Sequence, residues 1–503
     1  MRQLARTYAL LQLLALALLT GAAAGAPVPI VEPQAGGTPW SAGDVAKLQS
    51  DLDALLNHAT TLRGAHAGVL AIDTASGAVL YERNPNDEFQ PASTVKLLVG
   101  SAALEKLGPA YRFRTEASSA GDVVTVHGGG DPSLQTADLD DFAAAVARVL
   151  PPGTKLELSA DERRYDDQPY APGWTWDDFA YDYAAPVSAL SVDENVVHIV
   201  VSPGANVGDA ATLAAVPLAP SEASIARDVP YIVSQAATLA PGAASTLDVQ
   251  PGARGEIVVT GGLAAGSAPE QVDAAVRNPV WYALSVAAHA LQRRGIPATA
   301  DEWPQVAPYS EGQPLAEPPA ASIIWTHESQ PLASMLGPRF WIPSDNLTGE
   351  VLLKELGYQS AGARGSRETG IAFEKTWLQS IGVDPATVTL ADGCGMSQYD
   401  RITPHDLVAI LQHDWNGPNR RLVLDSLPVG GARGTIEGIA GTAAAGRVFA
   451  KTGSIMHVRG LAGYLMTERH GAVTFAFNVD DWNGDYADLA PLRARVLSRI
   501  VSD

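Results

Sequence analysis

Strand-like segments stand near both ends of this 503-residue chain, and no other feature constrains its fold as much. HAGVLAID (66–73) and AVLYER (78–83) alternate around Thr74-Ala75-Ser76-Gly77, the pattern of an antiparallel hairpin. GLAGYLMTE (460–468) and AVTFAFNV (472–479) read as two more strands ahead of a final helix, LAPLRARVLSRIV. Val45, Leu48, Leu52, Leu55 and Leu56 form one apolar stripe of a helix over 41–57. Helical patterns recur at 280–295 and, after 346, in LTGEVLLKELG, GIAFEKTWLQSIG and PHDLVAILQH. From 112 to 318 the chain instead offers short Val/Leu/Thr stretches broken by Gly and Pro, with little helical period outside 280–295. The outer parts, 41–111 and 319–503, therefore read as one α+β domain interrupted by a mostly β middle.

The first 26 residues carry Arg2 and Arg6, an apolar stretch from Tyr8 to Leu19 and small residues through Ala26, the layout of a secretory signal cut after Ala24 or Ala26. An exported mature protein is expected, in a periplasm or other extracytoplasmic wall space. Residues 27–40, rich in Pro and Gly, read as a flexible lead-in. No other apolar run is long enough for a transmembrane anchor. Cys394 is the only cysteine, so stability must come from packed cores and not from an internal disulfide framework. A net charge of −21 argues against nucleic acid or an anionic membrane as partner, since both require a basic surface.

Against that background PASTVKLLVG (91–100) stands out, because it places Ser93 and Lys96 three positions apart at the start of an apolar run. Seven of the 34 basic residues are lysine, so a lysine here is a chemical choice: a desolvated ammonium gives up its proton, and a guanidinium does not. Alone, such a pair reads as a helix cap and a surface charge. Two further motifs follow once each, Ser344-Asp345-Asn346 and Lys451-Thr452-Gly453, which alone would read as a turn and a strand end. Chemically they belong together. One helical turn puts Ser93 and Lys96 on one face, where Lys96 serves as the base for a Ser93 nucleophile. Ser344 suits a proton relay to a leaving amine, and Asn346 offers an amide to a substrate backbone. Lys451 and Thr452 suit a terminal carboxylate, Gly453 keeps that strand clear of side chains, and the amides of Ser93 and Ser454 suit an oxyanion hole. His457, six residues after Lys451, is either a cleft residue or a structural one. The sequence holds no G-x-S-x-G elbow, P-loop, H-E-x-x-H or paired-cysteine metal pattern.

S-x-x-K, S-D-N and K-T-G in this order are the signature of penicillin-binding proteins and class A β-lactamases. Ser344 lies 251 positions after Ser93, far more than a compact β-lactamase has between the same motifs. That layout resembles the D-alanyl-D-alanine carboxypeptidase/endopeptidase family, the class C low-molecular-mass penicillin-binding proteins. The resemblance also rests on Gly128-Gly129-Gly130-Asp131-Pro132, GWTWDD (173–178), AAPVSALSVDEN (184–195) and DGCGMS (392–397). It implies a split penicilloyl-serine transferase domain (41–111 and 319–503), an inserted domain II (112–195 and 263–318) and, within that, a domain III (196–262).

It further implies cleavage of peptidoglycan stem peptides through a Ser93 acyl-enzyme, acylation by β-lactams, and no metal or cofactor. Asp177, with Trp174 beside it, matches the acidic residue by which the family binds the free amine of the stem side chain; the alternative is a surface turn. The chain departs from the family at Cys394, where Ser is commoner, and at Gln398, where Arg is commoner. Cys394 reads as a small buried residue or else a reactive thiol. Two rival functions stay open: a catalytically silent peptidoglycan-binding protein, and a β-lactamase. Oligomeric state is not legible.

Overall fold

In the computed structural model the described residues are 28–34, 36–150, 153–216, 232–252, 256–300, 322–436, 438–484 and 486–503. The expected leader, 1–26, lies outside them, as do parts of the middle. Two chain ends meet in one sheet of five antiparallel strands, ordered Val448–Ile455, Val458–Met466, Ala472–Asp480, His66–Asp73, Val79–Arg83. Its register sets Leu70 opposite Ala476 and Ala71 opposite Phe475. Because side chains alternate, Val69 and Ala71 join one apolar cluster and Leu70 and Ile72 another. The helices Ala42–Asn57 and Tyr486–Val501 cover the first face. Lys96–Leu107 and Pro404–Asn416 cover the second. Sheet strands enclosed on both faces read as continuous apolar runs, which is why AVTFAFNV is buried at every position.

The first helix begins where the sequence places it. Ser41 caps it reciprocally with Asp44, and Leu48, Leu52 and Leu56 form its buried stripe. The preceding stretch, read as a flexible lead-in, holds no helix or strand over 28–34 and 36–40, yet it is docked: Val31 N–H donates to Gly446 O (2.9 Å), Thr38 N–H to Arg469 O (2.7 Å), and Trp40 stacks on His470.

The middle is less uniformly β than expected. A second five-stranded sheet runs Ala298–Ala300, Leu156–Asp161, Val123–His127, Arg114–Ala120, Ser322–Glu328, with two helices, Thr136–Val149 and Pro279–Gln292, in its core cluster. The helix Thr136–Val149 is not anticipated from the sequence, although Leu139, Phe142, Ala143 and Val146 have helical spacing on its buried side; a run of alanines weakens the apolar contrast. Two strand pairings cross the expected limits. Ser322–Glu328 pairs with Arg114–Ala120. Glu270–Ala275 pairs with Val196–Ser202. Between them in sequence lie two small sheets, one of Asp248–Pro251, Ile257–Thr260 and Ile232–Ser234, the other of Gly262–Ala264 and Ala237–Leu239.

Candidate active site

The Ser93 turn is built where three parts of the outer unit converge. Ala92–Val95 form a single 3₁₀ turn that runs straight into the helix Lys96–Leu107. The indole of Trp341 lies against Gly100, where a Cβ would fall 2.5 Å from the ring, and donates to Lys96 O (2.9 Å). That contact needs glycine on the helix. On the other side the edge strand Val448–Ile455 crosses the turn: a Cβ on Gly453 would stand 2.5 Å from Pro91 O and 3.1 Å from Ser93 N. Any larger residue would push the strand off the serine.

Lys96 is fully buried, and its Nζ reaches Ser93 Oγ (2.9 Å), Asn346 Oδ1 (2.6 Å) and Cys394 O (2.6 Å). Burial lowers its pKa below the ordinary lysine value, partly offset by charge interactions with Cys394 and with the carboxylates of Asp392, Asp345 and Glu350. Lys451, also fully buried, donates to Ser344 Oγ (2.8 Å) and Thr452 O (2.9 Å). Burial and then the charge of Lys96 drive its pKa well below the usual value. Ser344 adopts a left-handed backbone (φ 66°), unusual for serine, and from there its hydroxyl faces Lys451. Asp345 caps the helix Asn346–Ala361 by accepting from Thr348 N–H (2.6 Å), which sets Asn346 at the first helical position. Asn346 Nδ2 donates to Tyr183 O (2.7 Å), so one amide touches both the lysine and the middle of the chain.

The loop 392–397 supplies the remaining wall. Asp392 accepts from Gly395 N–H (2.6 Å), Ser397 N–H (2.7 Å) and Trp174 Nε1–H (2.8 Å), and this folds the Cys394 carbonyl toward Lys96. Gly395 has φ 85°, and a Cβ there would collide with the Ala92 carbonyl. Glu350, Asp392 and Cys394 are close enough together to ligate a cation. Their carboxylate oxygens are already committed, those of Glu350 to Gly393 N–H (2.6 Å) and Arg367 Nε–H (2.7 Å), so the trio acts as the frame of the loop.

Sequence reading and structure meet unevenly here. Ser93, Lys96, Ser344, Asn346, Lys451, Thr452 and Gly453 converge on one cleft, and Ser454 continues the edge strand beside them. Asp177 is exposed on the turn Trp176–Asp178, and no contact joins it to the lysines. Its neighbour Asp178 accepts from Tyr183 OH (2.9 Å), and Trp174 is buried on Asp392. Cys394 is fully buried and burial raises its thiol pKa far above the ordinary range, so of the two readings the small buried residue holds. Gln398 is exposed, with its backbone N–H on Gly173 O (3.3 Å). His457 forms the hairpin turn after the edge strand, with φ 65° and Nδ1 3.0 Å from Trp482 O, a structural position. Sequence reasoning gave no role to Asp392, Trp341 or Thr435, whose hydroxyl lies 2.5 Å from that of Thr452. Of these only Asp392 had a signal, as the first residue of DGCGMS.

A serine and two buried lysines where the edge of an antiparallel sheet crosses a helix start define the class: a serine-type penicilloyl-serine transferase fold. The chain belongs to the D-Ala-D-Ala carboxypeptidase 3 (S13) family, whose profile matches residues 48–495. It is thus an enzyme of the serine-type D-Ala-D-Ala carboxypeptidases. It is 33% identical over 446 residues to a D-alanyl-D-alanine carboxypeptidase of Actinomadura sp. (strain R39), covering 84% of this chain and 79% of that one. With the D-alanyl-D-alanine carboxypeptidase DacB of Haemophilus influenzae it shares 24% over 429 residues, 82% of this chain and 85% of the relative. The crystal structure of penicillin binding protein 4 (dacB) from Haemophilus influenzae superposes with a TM-score of 0.74 at 23% identity, over 90% of this chain and 99% of that one. The same protein complexed with a novel β-lactam matches with a TM-score of 0.69 at 22% identity, over 89% and 98%. Among the described residues no helix is long and apolar enough to cross a membrane.

Proposed function

We propose that Ser93 is the nucleophile and Lys96 the general base of this carboxypeptidase, acting on the terminal D-Ala-D-Ala of peptidoglycan stem peptides. One observation carries the assignment. Two of the three partners of Lys96 Nζ, the Asn346 and Cys394 carbonyl oxygens, only accept hydrogen bonds, whereas the third, the Ser93 hydroxyl, can donate or accept. A neutral amine keeps both carbonyl contacts with its two N–H groups and turns its lone pair to Ser93. It takes the hydroxyl proton as Oγ bonds to the carbonyl carbon and the carbonyl π pair moves onto oxygen, and neither of the lysine's carbonyl contacts has to move. As the C–N bond breaks, Ser344 gives its hydroxyl proton to the departing D-alanine nitrogen and is reprotonated with the proton that Lys96 took from Ser93, which leaves Lys96 neutral again; the amides of Ser93 and Ser454 hold the oxyanion, and Lys451 with Thr452 receives the terminal carboxylate. Water then attacks the acyl carbon with Lys96 taking its proton, and as the ester C–O bond breaks that proton returns to Ser93 Oγ.

β-Lactams acylate the same serine on this reading, in keeping with the β-lactam complex of the Haemophilus relative. Fluorescent penicillin is expected to label the wild type covalently and Ser93→Ala not at all; normal labelling of the variant would overturn the nucleophile. A stable adduct, against fast turnover of a chromogenic cephalosporin, separates this reading from a β-lactamase. Release of D-alanine from muropeptides separates it from a silent binding protein. We propose DD-endopeptidase activity as well, which predicts that cross-linked muropeptide dimers fall to monomers in the same mass spectra. The proposal includes export by the 1–26 leader, recognition of the stem amine by Asp177, and three nested units whose limits follow the sheets described above.

A further inference from the structure

Thr435 lies outside all three motifs, yet its Oγ1 is 2.5 Å from Thr452 Oγ1. It is held there from both sides. Val429 and Arg433 exchange backbone hydrogen bonds (2.8 and 2.9 Å), and the Arg433 guanidinium donates to Leu427 O (3.1 Å) and Asp425 O (2.6 Å). Immediately after it, Ile436 is buried in the core cluster under the main sheet. Gly434, with φ 81°, makes the turn between these two anchors. A threonine fixed this tightly cannot swing away to solvent and leave Thr452 alone.

Two hydroxyls in contact share one proton and keep one to spare. With Thr435 donating to Thr452 Oγ1, the Thr452 O–H is the one left to turn outward, and the internal bond polarises it toward an anion. We propose that Thr435 is a specificity-determining positioning residue, which acts through Thr452 to present one directed proton to the terminal carboxylate of the substrate. This rests on reading Lys451 and Thr452 as the carboxylate site. An isolated Thr452 hydroxyl would rotate among its acceptors, the carboxylate being one among several. With Thr435 donating to its oxygen, it has only that direction left.

The test compares an acylating agent that carries the carboxylate with one that does not: benzylpenicillin and its methyl ester, with acylation followed by intact-protein mass spectrometry. In Thr435→Val the acylation rate with the acid is expected to fall roughly tenfold, the scale of one hydrogen bond to a charged group, and the rate with the ester to stay within about twofold. Thr435→Ser should restore the acid rate. With a D-alanyl-D-alanine peptide the Val variant should show a raised KM at nearly unchanged kcat, the mark of lost uniform binding. If Thr435→Val does not fold, as judged by circular dichroism, Thr435→Ala makes the same comparison without added bulk. Equal losses with acid and ester would reduce Thr435 to packing and overturn the inference, as would an unchanged acid rate. A wild type that already reacts equally with acid and ester would instead overturn the carboxylate reading itself, so the two failures are told apart.

Discussion

The outer unit and the seam that joins it to the middle bury their surfaces by different means. Around the main sheet the buried groups are apolar, Leu, Val, Ile and Phe in two clusters on either face. Where the middle meets the helices Asn346–Ala361 and Arg367–Ser380, the buried groups are ions. Glu355, with no exposed surface, accepts from Arg164 Nη2 (2.7 Å) and Nε (2.9 Å), Tyr165 OH (2.9 Å) and Tyr111 OH (2.6 Å). Lys354 pairs with Asp166, and Arg367, besides Glu350, donates to Gln168 O (2.9 Å) and Tyr170 O (3.1 Å). Apolar contacts tolerate sliding, because the hydrophobic effect has no direction. Hydrogen-bonded ions do not, so this seam fixes the register in which Trp174 and Tyr183 reach Asp392 and Asn346, the neighbours of Lys96.

The contrast is broken most severely at the lysine itself. Lys96→Arg keeps the charge but loses the ability to shed a proton, and acylation by penicillin should fall at least ~10³-fold, the scale for deleting a member of a catalytic set. The pH profile sharpens the same point. Because burial lowers the Lys96 pKa, the neutral base appears below the ordinary 10.5. Acylation should therefore rise with pH along a limb centred below that value and fall away as Lys96 is protonated. A limb at the ordinary lysine pKa would break the base assignment.

Next in size comes the seam. Glu355→Gln leaves Arg164 buried without its counter-charge, and loss of one partner of a buried pair costs about 3–5 kcal/mol. Urea unfolding of the purified protein should register that loss; a change under about 1 kcal/mol would mean that the ions do not hold the register. Smaller again is Trp174→Phe, which keeps the ring and removes the donor to Asp392. One net hydrogen bond is worth about 1 kcal/mol, so acylation should slow by roughly fivefold with the midpoint of unfolding little changed. A loss as large as that of Lys96→Arg would mean that the middle of the chain does more than position the loop.

The same contrast explains what could be read from the chain in advance. Periodicity exposes an apolar sheet and its helices, so Leu48, Leu52 and Leu56 or AVTFAFNV announce themselves from spacing alone. The motifs announce Ser93, Lys96, Ser344, Asn346 and Lys451 because residue type and order carry their chemistry. A seam of ions has no period: Arg164 and Glu355 meet across 191 positions, and nothing near either one points to the other. Strand partners far apart in sequence are equally silent: nothing in Ser322–Glu328 points to Arg114–Ala120, with which it pairs. Backbone acceptors such as Cys394 O and Tyr183 O leave no trace in residue identity at all.

Cys394 gives the smallest expected effect and the sharpest view of that last point. Its carbonyl binds Lys96, while its side chain is enclosed and its sulfur sits 3.5 Å from Asp392 Oδ2. Cys394→Ser keeps the carbonyl where the Gly395 turn and the Asp392 frame hold it, and its hydroxyl meets the same acceptor with a better donor. Acylation should change by less than about twofold, against a local gain or loss of about 1 kcal/mol in stability. The buried thiol should also resist iodoacetamide in the folded protein, since alkylation requires an accessible thiolate and burial holds the thiol protonated. Rapid alkylation with loss of penicillin labelling would show instead that the loop opens, and that the Lys96 pocket is less fixed than the apolar sheet beneath it.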